Sequence, residues 1–162
     1  MADQREGILF LVQIFKLVDM DIVTKKQLNI LIQLAEADKH FAKTERDMIF
    51  RIAKERKFPE EDVHELIRNP QPIDSLGALS LDQKFEYLWS AIEMVFADQN
   101  VFESEVIFCK NIAIKLGFKK GVIDYFVENY GKKSRQEFKA IALREYVWFF
   151  INLTWYLKNQ GF

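Results

Sequence analysis

The sequence predicts an all-α fold, and three observations carry that prediction. Apolar residues recur at spacings of three and four along most of the chain, the signature of amphipathic helix. Ser or Thr followed three residues later by Gln or Glu appears at Thr24-Lys25-Lys26-Gln27, Ser80-Leu81-Asp82-Gln83 and Ser134-Arg135-Gln136-Glu137, a pattern that starts helices. Only six Gly and three Pro occur in 162 residues, too few for a turn-rich β sandwich.

Taken in order, a first helix over 4–18 carries Ile8, Leu11, Val12, Phe15 and Val18. A second opens at the Thr24 box and continues through Leu28, Leu31, Ile32 and Ala35. The third starts near Thr44, where Glu45 and Asp47 complement the positive end of the helix dipole. Pro59 suits the first turn of a short fourth helix bearing Val63, Leu66 and Ile67. Residues 69–80, with Pro70 and Pro72, form an irregular connection. Ser80 then opens a fifth helix with Phe85, Leu88, Trp89, Ile92 and Val95, and Ser104 a sixth. Gly117 closes the sixth as a left-handed cap. A seventh holds Val122, Ile123, Phe126 and Val127 and stops near Gly131, and the Ser134 box opens a long final helix over 135–158. The expectation is one all-α domain of about eight helices.

Composition narrows the function. With 49% hydrophobic residues the chain has ample apolar surface to fold, and 23 Lys+Arg against 24 Asp+Glu leave no bulk positive field for nucleic acid. The lone Cys109 excludes an intramolecular disulfide and a multi-cysteine metal site. No stretch reads as a secretory signal, and the longest apolar run, 146–157, falls short of the about 20 residues of a spanning helix. A cytoplasmic protein is expected. A Gly-rich phosphate loop, His-Glu-x-x-His and Gly-x-Ser-x-Gly are all missing, so nothing suggests an enzyme.

The strongest signal is an internal repeat at an offset of 60 residues. Leu28, Ile32, Ala37, Asp38, Glu45, Ile52, Ala53 and Phe58 are matched by Leu88, Ile92, Ala97, Asp98, Glu105, Ile112, Ala113 and Phe118. The halves span about 24–68 and 84–130. Helical spacing produces chance apolar matches, but Asp and Glu seven apart in both halves are harder to produce by chance.

Ala37-Asp38 with Glu45, and Ala97-Asp98 with Glu105, each followed by an Ile-Ala pair, resemble the TerB-like family named for tellurite resistance. A related domain stands at the start of some DnaJ-like co-chaperones. The resemblance covers roughly 24–130 and occurs twice. It implies a pseudo-symmetric helical bundle in a bacterial stress response, with divalent cations suspected to bind through the acidic loops. The family usually carries Gly after the Asp, where a positive φ is wanted, whereas Lys39 and Gln99 stand there in this chain.

The candidate metal ligands are Asp38, Glu45, Asp98 and Glu105, with Ca²⁺ or Mg²⁺ as the expected cations. The competing reading makes each Asp an Asx-turn residue and each Glu a helix starter. Two carboxylates fall far short of the six to eight oxygens that Ca²⁺ prefers, so a single loop would bind weakly. Asn100 and Glu103 equip the second loop better. His40 suggests a mixed transition-metal site or a plain surface histidine, and His64 is expected to be solvated. Cys109 aligns with the core position Ile49 and reads as a buried thiol.

The last feature is the aromatic segment 146–157, preceded over 115–145 by eight Lys/Arg against four Asp/Glu. A helix this apolar is enclosed in the core, or lies in a dimer or partner interface, or lies on a lipid surface.

Overall fold

In a computed structural model, residues 3–147 are described, and they form seven helices: α1 (Asp3–Ala35), α2 (Lys43–Glu55), α3 (Glu60–Arg68), α4 (Leu81–Val95), α5 (Glu103–Lys115), α6 (Gly121–Asn129) and α7 (Arg135–Glu145). Among the described residues there is no strand beyond an isolated bridge between Phe118 and Val147. The α1 and α4 helices lie side by side at the centre. The α2–α3 pair packs on one flank, α5–α6 on the other, and α7 against α4.

The α2 and α5 helices stand at the 60-residue offset seen in the sequence, and α3 and α6 at 61. α2 and α5 are both 13 residues long, α3 and α6 both 9. Their matched apolar positions fill the core: Leu28 with Leu88, Ile32 with Ile92, Ala53 with Ala113, Phe58 with Phe118 and Val63 with Ile123 are all buried. Gly117 (φ 87°) and Gly131 (φ 75°) take the left-handed conformation expected of helix-ending glycines. Ser80 and Ser134 cap α4 and α7, each hydroxyl accepting from the N–H three residues on.

Two predicted elements are corrected. The expected break between helices 4–18 and 24–35 does not exist, because α1 runs unbroken for 33 residues. No Gly or Pro stands between Val18 and Thr24 to stop a helix already under way, and extending one costs far less than nucleating a new one. The Thr24 box is therefore inert, with Thr24 buried inside the helix. Gln27, its supposed capping partner, donates instead from Nε2 to Ser90 Oγ on α4 at 2.9 Å, and Tyr87 Oη donates to the Val23 carbonyl. This fusion accounts for seven helices in place of about eight.

The final helix also ends early. Instead of continuing to 158, α7 stops at Glu145, and Val147 pairs with Phe118. Lys119 supplies the reason: its N–H donates to the Tyr146 carbonyl at 2.7 Å and its Nζ to the Glu145 carbonyl at 3.2 Å. Carbonyls freed at the helix end are thus satisfied by a neighbouring segment. The remainder of the predicted aromatic helix, residues 148–158, lies outside the described residues. Aromatic packing is nonetheless visible earlier, where Trp89 contacts Phe85, Phe126, Tyr130 and Phe138 at ring centroid distances of 5.2–6.2 Å.

The first predicted core face is corrected as well. The described side chains of α1 between Glu6 and Ile22 are all exposed, Ile8, Leu11, Val12, Phe15 and Val18 among them, and burial begins only at Val23–Thr24. No helix among the described residues is long and apolar enough to cross a membrane.

Candidate functional site

The two acidic loops, which join α1 to α2 and α4 to α5, have the same local construction. In the first, Asp38 Oδ1 accepts the His40 N–H at 2.8 Å; in the second, Asp98 Oδ1 accepts the Asn100 N–H at 2.9 Å. Both are Asx turns. The residue after each Asp is left-handed, Lys39 at φ 66° and Gln99 at φ 67°. The backbone thus keeps the conformation that glycine favours without the glycine, at a cost of about 1 kcal/mol per site.

Seven residues on, the Glu side chains turn back to their own helix starts. Glu45 Oε2 accepts the Ala42 N–H at 2.7 Å, and Glu105 Oε2 accepts the Phe102 N–H at 3.1 Å. Each satisfies an amide that the first turn leaves unpaired. Unlike most capping carboxylates, both are buried, Glu45 at 4% and Glu105 at 3% exposure.

Burial of the two capping acids matters because each carboxyl feels the acids of both loops. Loss of hydration raises the Glu105 carboxyl to about 7; the Phe102 N–H opposes the rise, while the charges of Glu45, Asp38 and Asp98 add to it. Glu45 is raised by the same cause, opposed first by the Ala42 N–H, and it too feels Asp38 and Asp98. The neighbouring Glu105 carboxyl acts on Glu45 in the opposite, lowering direction and is the smallest influence. All four carboxylates from loops 60 residues apart therefore occupy one electrostatic neighbourhood. A proton or a cation relieves the two buried carboxyls of this repulsion.

Geometry limits the cation reading. Among the described residues no group of three or more His, Cys, Asp or Glu side chains is set to hold a metal ion. One oxygen of each carboxylate is committed to a backbone amide, which leaves one per side chain. A cation would therefore draw the free oxygens inward and take loop carbonyls and water for the rest of its shell.

The other candidates fall apart from this junction. His40 is exposed and contributes its backbone N–H to the turn. His64 packs against Phe50 on the α2–α3 flank with its ring centroid at 5.1 Å, and its Nε2 lies 3.7 Å from Glu60. Cys109 is fully buried, and burial followed by the charge of Glu105 pushes its thiol above the usual range, away from the thiolate form. The Glu45–Glu105 relation escaped the sequence reading; the pairing of two Glu at the repeat offset was its only signal. Compared with known proteins, the chain matches no family model, no curated protein and no solved structure.

Proposed function

We propose that the chain is a non-enzymatic binding module of the TerB-like kind, working in the cytoplasm in a bacterial stress response of the tellurite-resistance type. Its acidic junction takes up a divalent cation, Ca²⁺ or Mg²⁺, or a proton in its place. The observation that carries this reading is the buried pair Glu45 and Glu105 under the charges of Asp38 and Asp98. Such a cluster is destabilised while ionised, and a cation that binds only the folded form offsets the repulsion. With four free oxygens and open loops, affinity falls in the weak range, roughly 10⁻⁴–10⁻³ M. The TerB-like resemblance supports the same reading through Asp38, Glu45, Asp98 and Glu105 and the repeat that contains them.

A second reading is favoured by the amide contacts of all four carboxylates. In it the loops are turns only, and the protein is an interaction module that dimerises or docks through its aromatic C-terminal segment, 146–157. Calorimetric titration at pH 8 with Ca²⁺, Mg²⁺, Mn²⁺ and Zn²⁺ separates the two. The binding reading expects heat at millimolar cation or below and its loss in Asp98→Ala/Glu105→Ala with folding retained. Silence toward all four cations would leave the turn reading standing.

A further inference from the structure

The N-terminal half of α1 has no role in the acidic junction, yet it holds the largest exposed apolar surface among the described residues. Phe15 is 74% exposed, and Ile8, Leu9 and Phe10 are 62–65% exposed. Within this stretch Ile8, Leu11, Phe15, Val18 and Ile22 follow the alternating three-and-four spacing of a heptad seam. From Thr24 onward the same helix is enclosed by α2, α3, α4 and α5. A helix inside a bundle has thus been extended past it with its seam unfilled.

We infer that this extension is a dimerisation helix that pairs with the same helix of a second copy, antiparallel and centred on Phe15. Three arguments select that occupant. The first is area: the five seam side chains, 49–74% exposed, offer on the order of 500 Å² per copy, so about 1,000 Å² for a pair. That reaches the low end of specific interfaces, about 1,000 Å².

The second argument is charge. Lys16 is the one cation between Glu6 and Ile22, against Glu6, Asp19 and Asp21. Helices that lie on anionic membranes present Lys and Arg on their polar face, whereas from Asp3 to Lys26 four Lys/Arg are balanced by four Asp/Glu and no basic face forms. The third is shape. Paired helices lie about 8–10 Å apart, closer than two bundles can approach when both surround their helices from Thr24 on. An antiparallel pair puts the bundles at opposite ends of a seam about 21 Å long, from Ile8 to Ile22.

Centring on Phe15 sets Ile8 opposite Ile22 of the other copy, and Ile22 borders a cavity of about 220 Å³ lined by Ile30, Leu66 and Leu76 together with Lys25, Lys26 and Asp74. The tip of each helix therefore reaches the base of the opposite bundle.

The test is sedimentation equilibrium of the full chain, with Leu11→Glu/Phe15→Glu as the variant. The unaltered protein is expected at twice the 19.2 kDa monomer mass. The variant is expected to dissociate, with a dissociation constant raised at least about 30-fold, at unchanged helicity, because both side chains lie outside the core. Single-cysteine variants read the register, the native Cys109 being buried and silent. Phe15→Cys forms a disulfide-linked dimer, Ile8→Cys alone does not, and Ile8→Cys mixed with Ile22→Cys does. A monomer at a hundred micromolar, whether the seam is covered by residues 148–162 or by lipid, overturns the inference, as does a dimer indifferent to the variant. Cross-linking at Ile8→Cys alone overturns the antiparallel register. Cation titration is unaffected by any of these results, so this surface and the acidic junction stand or fall separately.

Discussion

Asn29 and Trp89 hold the same position in two stretches 60 residues apart, yet they close their halves by opposite chemistry. Asn29 clamps the connecting segment: its Nδ2 donates to the Gln71 carbonyl and its Oδ1 accepts the Gln71 N–H, both at 2.8 Å. Trp89 is instead the hub of an aromatic cluster that α7 covers with Phe138. The acidic loops of the two halves, by contrast, match in turn type, backbone conformation and buried Glu. One end of the helical unit is held constant while its outer cover varies. Matching inner positions are set by mutual packing of α1 and α4, whereas each flank must be sealed by whatever chain lies beside it.

The sharpest way to break this comparison is to remove each cover in turn. Trp89→Ala is expected to cost about 3 kcal/mol in urea unfolding, since it empties a site contacted by four rings. Asn29→Ala is expected to cost less, about 2 kcal/mol, the penalty of leaving the Gln71 amide and carbonyl without their partner. Equal losses, or a larger one at Asn29, would mean that the two halves are not sealed by different means.

A smaller effect tests what the halves share. Because the Glu105 carboxyl is raised to about 7 in the fold, its contribution is full below about pH 4.5 and is lost as pH rises through 7. Glu105→Gln keeps an acceptor for the Phe102 N–H and removes the charge. Its melting temperature should exceed that of the unaltered protein by about 3 °C at pH 8 and match it at pH 4. Glu45→Gln should shift in the same direction, since that carboxyl is raised too. The smallest effect belongs to the left-handed residues: Lys39→Gly and Gln99→Gly should each add about 0.5 kcal/mol, loop strain relieved less the entropy gained by the unfolded chain. A gain at one loop only would show that the loops are less alike than their angles.

Much of this architecture is written in local pattern. Ser80 and Ser134 announce their helices because capping is settled within four residues, and the repeat places the core pairs because both halves bury the same positions. The errors come where a distant segment decides. Thr24 has the residues of a cap, but its neighbours on both sides favour helix and Gln27 is taken by Ser90 on α4. The end of α7 is set by Lys119, twenty-six residues before Glu145, and no Gly or Pro marks it. The apolar spacing of Ile8 to Ile22 reads as a core face whether or not a core lies beside it. At the junction, sequence supplied the four acids but not their meeting, which depends on how α1 and α4 are laid together.

Cys109 sits at the closed centre of this arrangement, fully buried on α5 one turn from Glu105. A thiol there reacts with an alkylating reagent only when the bundle opens, so its labelling rate becomes a clock for opening events. No probe need be engineered, because the chain has no other cysteine to blur the reading. That side chain can therefore report, in minutes or hours of protection, how firmly the two halves hold each other shut.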